Sequence, residues 1–374
     1  MKHFIIILLT LVVLASCKQA QKITDAISKP SAKTVFERDF KDNDSIFKHY
    51  ENRYYNAQNN DLQVELPATI QSKSDTSKLN ILAYTLKLQQ GERFKLESNS
   101  APDSLQLAID IFPFENDSIV AEKPTASNTV ESNNMSFDVS ASNRYKLVVF
   151  SNRKHHKNFS LKLFTEPTMA FPVHGKNNSA VQSFWGASRG GGKRSHEGID
   201  IFAKRGTPVV ASTDGFVYNT GNRGLGGKQV WLRDGIFGQS LYYAHLDSIA
   251  VPSGRSVKVG DTLGFVGNTG NAKTTSPHLH FGIYTQKGAV DPYPFVKETE
   301  APKFESYTMS SLGETRLNNN ELRVSPAVKS EKIKDLKVAT PVEILSKTQN
   351  WFHIRVNDTL EGFMHESLIT ELED

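Results

Sequence analysis

Three short stretches of this 374-residue chain carry residue types that could share one metal ion or one substrate. The first is His278-Leu279-His280. Residues two apart on a strand project to the same side, so both imidazoles face one site and Leu279 turns into a core. The second is His196-Glu197-Gly198-Ile199-Asp200. It is not the His-Glu-x-x-His of a zincin helix, because the fifth residue is Asp and Gly198 with β-branched Ile199 disfavours helix. Four steps of straight strand cover about 13 Å, too far for His196 and Asp200 to reach one ion. A bend at Gly198 solves this, since glycine accepts conformations that other residues avoid. The third is His245, inside the apolar run Leu241-Tyr242-Tyr243-Ala244-His245-Leu246. Taken alone, His245 reads equally as a buried core histidine at a strand end.

Taken together the stretches say more. Two histidines and one aspartate make a three-ligand set with a fourth position open, the layout of a catalytic rather than a structural zinc site. Two histidines are then left over. Hydrolysis needs a base for water or a donor to the developing oxyanion, and the spare histidines suit those tasks.

Elements that position such groups are visible around them. Of 24 glycines, 21 lie between Gly175 and Gly288. Glycine at that density, between runs such as Gln229-Val230-Trp231-Leu232 and Ser240-Leu241-Tyr242-Tyr243, means strands joined by tight turns. Helical periodicity is absent there. Period-two alternation also marks the flanks. Before the glycine-rich segment, Tyr84 to Leu88, Phe94 to Leu96, Tyr145 to Phe150 and Phe159 to Leu163 predict a small β-sandwich, with Ala121 to Asn134 as a long loop. After it, Leu322-Arg323-Val324, Pro341 to Leu345, Trp351 to Val356 and Glu361 to Met364 predict a small barrel. The fold class expected is therefore all-β.

The N-terminus carries an address. Lys2 precedes an apolar run from Phe4 to Ala15 that is too short to span a bilayer and has the layout of a secretory signal. Leu14-Ala15-Ser16-Cys17 resembles the bacterial lipoprotein box, which implies lipid attachment at Cys17. Cys17 is the only cysteine, so a cysteine nucleophile and a thiolate metal site are both excluded elsewhere in the chain. With 44 Lys and Arg against 40 Asp and Glu, the net charge of +4 is nearly neutral, and no basic stripe suggests nucleic acid.

The order of landmarks identifies a family resemblance. Phe184-Trp185-Gly186, His196 to Ile201, Gly206-Thr207-Pro208-Val209, Asp214-Gly215, Tyr243-Ala244-His245-Leu246, Val259-Gly260-Asp261, Gly267-Asn268-Thr269-Gly270 and Pro277-His278-Leu279-His280-Phe281 occur in sequence. Over about Phe171 to Pro294 this resembles the lysostaphin-type, or LytM-type, zinc metallopeptidases. The resemblance implies that His196, Asp200 and His280 are zinc ligands and that His245 and His278 are the catalytic pair. Lys273-Thr274-Thr275-Ser276 departs from the pattern, since a glycine is common before the Pro277 position.

The implied activity is metal-assisted hydrolysis of peptide cross-links in peptidoglycan. The implied organisation is a signal and lipobox over 1–17, a tether over 18–60 that can hold a short helix over Lys41 to Asn56, the sandwich over 61–166, a zinc peptidase domain over 167–300 and, by its Leu-Arg-Val-Ser-Pro start and Gly362-Phe363 ending, a bacterial SH3-like domain over 301–374. The expected partners are wall peptides and, through lipid on Cys17, the membrane of the cell envelope, with the outer membrane the first choice. The SH3-like segment is a candidate for wall binding. Tyr242, Tyr243 and Trp185 suit either a groove lining or a core. The rival readings are a non-catalytic, wall-binding regulator of another hydrolase and an endopeptidase acting on a protein.

Overall fold

The computed structural model describes residues 21, 24–40, 44–75, 79–115, 118–119, 123–152, 157–235 and 238–373. Cys17 and its box lie outside them. The architecture is mostly β, with 48% strand and 12% helix.

Among the described residues, the glycine-rich segment builds one ten-stranded sheet. Its main path runs Val181–Ser183, Ile199–Phe202, His278–Thr285, Ser240–Ile249, Gly227–Asp234, Gly215–Arg223 and Arg255–Val257, each antiparallel to its neighbour. The alternation read in the sequence sorts its faces. Ile199, Ile201, Leu241, Tyr243, Leu279 and Phe281 are fully buried in one cluster, each contributing roughly 1.5–3 kcal/mol by leaving water. The residues between them point the other way, and that face carries the site. A short helix, Tyr293–Val296, closes the unit against its neighbour. There Phe295 packs so tightly on Gly91 that a Cβ at Gly91 would lie 2.3 Å from the ring.

The flanks are joined where the sequence suggested separate modules. Strand Ala68–Ser74 pairs on one side with Lys157–Pro167 and on the other with Pro341–Thr348, through Gln71↔Lys347 and Ser72↔Ser346. Ile70, Tyr84, Phe94 and Leu147 share one apolar cluster with Leu345, Trp351 and Phe363. The Tyr84 hydroxyl lies 2.8 Å from Ser346 Oγ and 3.0 Å from His353 Nδ1. Regions 61–166 and 301–374 therefore surround one core, with the glycine-rich unit inserted between them. Alternation shows which face of a strand is apolar but not which edge is taken, so this junction is invisible in the sequence.

The tether over 18–60 is corrected. Ala32–Phe40 and Asp44–Asn59 are helices. Phe47, Tyr50, Tyr54 and Ala57 recur at three- and four-residue spacing and form one stripe. That stripe packs with Phe36 on Phe112 and Phe150, with Tyr50 and Phe150 ring centroids 5.6 Å apart. The second helix meets the expectation of a short helix over Lys41 to Asn56, while the first, Ala32–Phe40, was not expected. The loop over 121–134 also holds more order than its composition suggested. Asn128 and Asn133 are buried there, and each hydrogen-bonds backbone groups of neighbouring strands.

Candidate metal centre and active site

Strand register brings the predicted residues together. Asp200 pairs with His280 and Phe202 with His278 across the antiparallel ladder. His280 also pairs with Ala244 on the next strand. Cross-strand partners on one face lie about 4.5–5.5 Å apart at Cβ, so Asp200 and His280 are neighbours by construction and His278 follows two residues along.

His196 arrives from outside the strand. Its main-chain N–H donates to the Ala187 carbonyl (2.9 Å), and its carbonyl accepts from the Gly186 N–H (3.0 Å). The chain then passes Gly198 against His280. A Cβ at Gly198 would lie 2.5 Å from the Phe281 carbonyl oxygen and 2.7 Å from the His280 ring. Glycine is required there for space. Its φ is not in the left-handed region, so the expectation of unusual backbone at Gly198 is refined to one of close approach.

One His196 nitrogen and one Asp200 oxygen meet one His280 nitrogen. His196 Nε2 lies 3.0 Å from His280 Nδ1 and 3.0 Å from Asp200 Oδ1, and His280 Nδ1 lies 3.1 Å from that same oxygen. One donor atom from each of the three lies within 4.8 Å of the others. The donors suit a metal ion. His196 Nδ1–H donates to the Phe184 carbonyl at 3.0 Å, which leaves a lone pair on Nε2. Burial opposes ionisation of Asp200, yet the His196 and His280 contacts outweigh it and hold the carboxyl well below the usual range. The carboxylate is thus ionised and available.

His245 reaches the site through a backbone irregularity. Leu241 and Tyr243 face the core, so regular alternation would send His245 there too. Instead, two residues, Ala244 and His245, stand opposite the single Gln229, a β-bulge. His245 takes φ 64°, a left-handed conformation costly for a non-glycine residue. Its imidazole swings to the site face and Leu246 returns to the core. The His245 ring lies 5.1 Å from that of His278 and 5.9 Å from that of His280, centroid to centroid.

Carbonyls fix both spare imidazoles. His245 Nδ1–H donates to Thr269 O at 2.9 Å, and His278 Nδ1–H to Ser276 O at 2.8 Å. Each Nε2 is then free of that proton. His278 Nε2 stands 4.0 Å from Asp200 Oδ1. Burial, followed by repulsion from His280 and His278, pushes the His245 pKa down to about 4. The loop that supplies Thr269 depends on Gly270, which has φ 70° and whose Cβ would lie 2.2 Å from Leu225 O.

A groove of about 840 Å³ opens over these groups. Tyr242 lines it, while Tyr243 is fully buried and its hydroxyl accepts from the Ser212 N–H, so the two tyrosines divide between groove and core. Trp185 is not among the lining residues; Trp231 is, its ring tilted 31° to that of Tyr242 with centroids 4.3 Å apart. The departing segment Lys273 to Ser276 touches the groove only through Thr275. Sequence reasoning missed Arg189, whose Nη2 donates to Asp200 Oδ2 at 2.7 Å. The available signal was an arginine directly before Gly190-Gly191-Gly192, a run that can turn sharply and bring it back to the site.

Comparison with known proteins agrees with this geometry. The family model of peptidase family M23 matches residues 194–292. The L-Ala--D-Glu endopeptidase of Bacillus subtilis (strain 168) is 36% identical over 148 residues, covering 36% of this chain and 45% of the relative. Glycyl-glycine endopeptidase ALE-1 of Staphylococcus capitis is 40% identical over 111 residues, 28% of this chain and 29% of the relative. The chain thus spans less than half the length of either. The catalytic domain of the antimicrobial peptidase lysostaphin from Staphylococcus simulans is 34% identical, with 30% of this chain and 89% of that one covered and a TM-score of 0.28. The chain carries a domain of peptidase family M23, a family of metal-dependent peptidases, and His196, Asp200 and His280 form its candidate metal site.

Proposed function

We propose that the chain is a zinc-dependent endopeptidase that hydrolyses peptide cross-links of peptidoglycan. The observation that carries the reading is the convergence of His196 Nε2, Asp200 Oδ1 and His280 Nδ1, with His245 and His278 beside them on one groove. Two histidines and one carboxylate suit zinc and leave a position open. A zinc ion held there supplies Lewis acidity and makes hydroxide available near neutral pH.

The chain's own groups supply the rest. The Thr269 and Ser276 carbonyls hold the protons of His245 and His278 on Nδ1, so each Nε2 presents a lone pair to the groove. With its pKa near 4, His245 is neutral at pH 7 and can accept a proton from the attacking water. The partner histidine, once protonated, can donate to the oxygen on which charge develops. The wall as substrate is supported by relatives whose names specify bonds of that polymer, L-Ala–D-Glu and glycyl-glycine. Digestion of purified peptidoglycan with and without chelator, followed by mass analysis of the fragments, tests the reading. Cleaved cross-links that chelator abolishes and zinc restores are expected. Intact cross-links with zinc fully bound would leave a wall-binding, non-hydrolytic role.

We further propose that Cys17 carries lipid and anchors the protein in the cell envelope, with the SH3-like region 301–374 contributing to wall contact. The lipobox pattern supports the anchor. Arg38 bonds Asp25, Ser31 bridges Thr129 and Ala32–Phe40 is docked, so any tether after Cys17 is shorter than the sequence suggested. The C17S variant should accumulate unprocessed, and the mature protein should resist extraction by salt; a soluble mature protein would contradict the anchor.

A further inference from the structure

The side chain of Arg189 touches the metal-ligand set without belonging to it. We propose that Arg189 is a positioning residue that fixes Asp200 to one-oxygen ligation, and so keeps a coordination position open for the reacting water. The inference rests on the metal-site reading above.

The two oxygens of Asp200 have different partners. Oδ1 faces His196 Nε2 at 3.0 Å and His280 Nδ1 at 3.1 Å, the place where an ion would sit. Oδ2 accepts from Arg189 Nη2 at 2.7 Å. An oxygen engaged by a guanidinium is a poor second ligand, because its lone pair is directed to a charged donor. Without that bond the carboxylate can rotate and offer both oxygens to the ion, which would fill the open position.

The arginine is itself held in place. The same Nη2 donates to Ser183 Oγ at 2.5 Å, and Ser183 is the cross-strand partner of Asp200. Arg189 therefore bridges two paired residues of adjacent strands. It also lies 3.1 Å from His196 Nδ1. That nitrogen already carries the proton given to Phe184 O, so this is a packing contact and not a hydrogen bond. Segment 183–189 thus wraps both His196 and Asp200 from behind. The hairpin that presents Arg189 pairs Ser188–Arg189 with Arg194–Ser195. Between them Gly190, Gly191 and Gly192 all take positive φ, from 60° to 91°, which few other residues would tolerate.

Two effects of the arginine oppose each other. Its positive charge repels a cation, but the Arg189 side chain is 35% exposed, so water screens that term. Orientation of a ligand by its outer hydrogen-bond partner is typically worth about 10- to 100-fold in metal affinity. Orientation therefore wins, and removing the arginine weakens binding.

The test compares wild type with R189Q, R189K and S183A, all as the full chain. Zinc affinity is measured by chelator competition, and the visible spectrum of cobalt(II) in the site reports coordination number, since its intensity falls as ligands are added. R189Q should bind zinc about 10- to 100-fold more weakly, with a dimmer cobalt spectrum, while R189K restores most of both. S183A, which loosens the arginine and keeps its charge, should move both readouts the same way by less. Unchanged or tighter zinc binding in R189Q, or an unaltered cobalt spectrum, would overturn the proposal. If R189Q does not fold, S183A decides by the same criteria. Failure of the wild type to bind either metal would instead overturn the metal-site reading on which this rests.

Discussion

The two bodies of this molecule bury polar groups to opposite ends. In the flanking regions, the buried charged side chains pair with groups beside them. Arg355 is held between Glu343 at 2.9 Å and Glu361 at 2.8 Å. His353 is fully buried between Tyr84 and Glu361, and on the opposite face of the sandwich, under the helix Asp44–Asn59, Asp110 accepts from Tyr54 and Ser127. In the inserted peptidase domain, His196, Asp200, His245 and His278 are nearly as buried, but their proton-bearing nitrogens go to carbonyls and their free donor atoms converge on a groove. Burial of polar groups is common to both. Only where protein partners leave lone pairs unused does it create a site.

Substitutions can break that contrast, beginning with the largest expected effect. H280A removes one of three converging donors. The wild type should hold about one zinc per chain, and the variant should lose most of it along with turnover; metal analysis showing full occupancy would refute the ligand assignment. H245A and H278A should each lower turnover by on the order of 100-fold or more while zinc stays bound. Parallel loss of zinc would make the altered histidine a ligand instead.

In the other body the same kind of change should affect stability and leave chemistry alone. E361A removes one of the two carboxylates around buried Arg355 and the carboxylate beside His353, leaving Glu343 as the remaining partner of Arg355; it should cost up to about 3 kcal/mol, read as a lower melting temperature of the full chain with unchanged turnover below the transition. Burial opposes ionisation of Glu361, but His353 and Arg355 beside it outweigh that and hold its pKa at about 2. A depressed carboxyl contributes stability that is complete above the unfolded value and is lost as pH falls through the folded one. The flanking core should therefore weaken from about pH 4.5 down to about pH 2, and E361Q should flatten that dependence. Acid profiles that superimpose for wild type and E361Q would contradict the pairing.

Smaller effects sharpen the picture at the groove floor. G198A forces a methyl group toward His280 and the Phe281 carbonyl and should cost about 1–3 kcal/mol, with weakened zinc binding. Y242F removes the bond to Gln229 Oε1 and should cost about 0.5–1.5 kcal/mol, with zinc affinity unchanged.

How far the sequence could be read follows from the same physics. His278-Leu279-His280 obeys the period of a strand, so its two same-face imidazoles were legible. The role of His245 was not legible from alternation, because parity assigns it to the core and only the bulge before Leu246 reverses that. Here the family resemblance supplied what periodicity could not. Arg189 escaped notice because its contacts depend on a hairpin folding back over six to eleven residues. The union of the flanking regions escaped for a related reason: the edge pairing of Gln71 with Lys347 spans most of the chain, and no local pattern records it. The helix over Lys41 to Asn56 was legible in outline, but its stripe Phe47, Tyr50, Tyr54 and Ala57 is diluted by polar neighbours, so its docking on the sandwich was not.

The most direct test of the account is anomalous diffraction at the zinc edge from crystals of the zinc-loaded protein. The account predicts one peak, bonded to His196 Nε2, Asp200 Oδ1 and His280 Nδ1, with His245 and His278 nearby but unbonded. A peak coordinated by His245 or His278, or no peak in protein saturated with zinc, would contradict it.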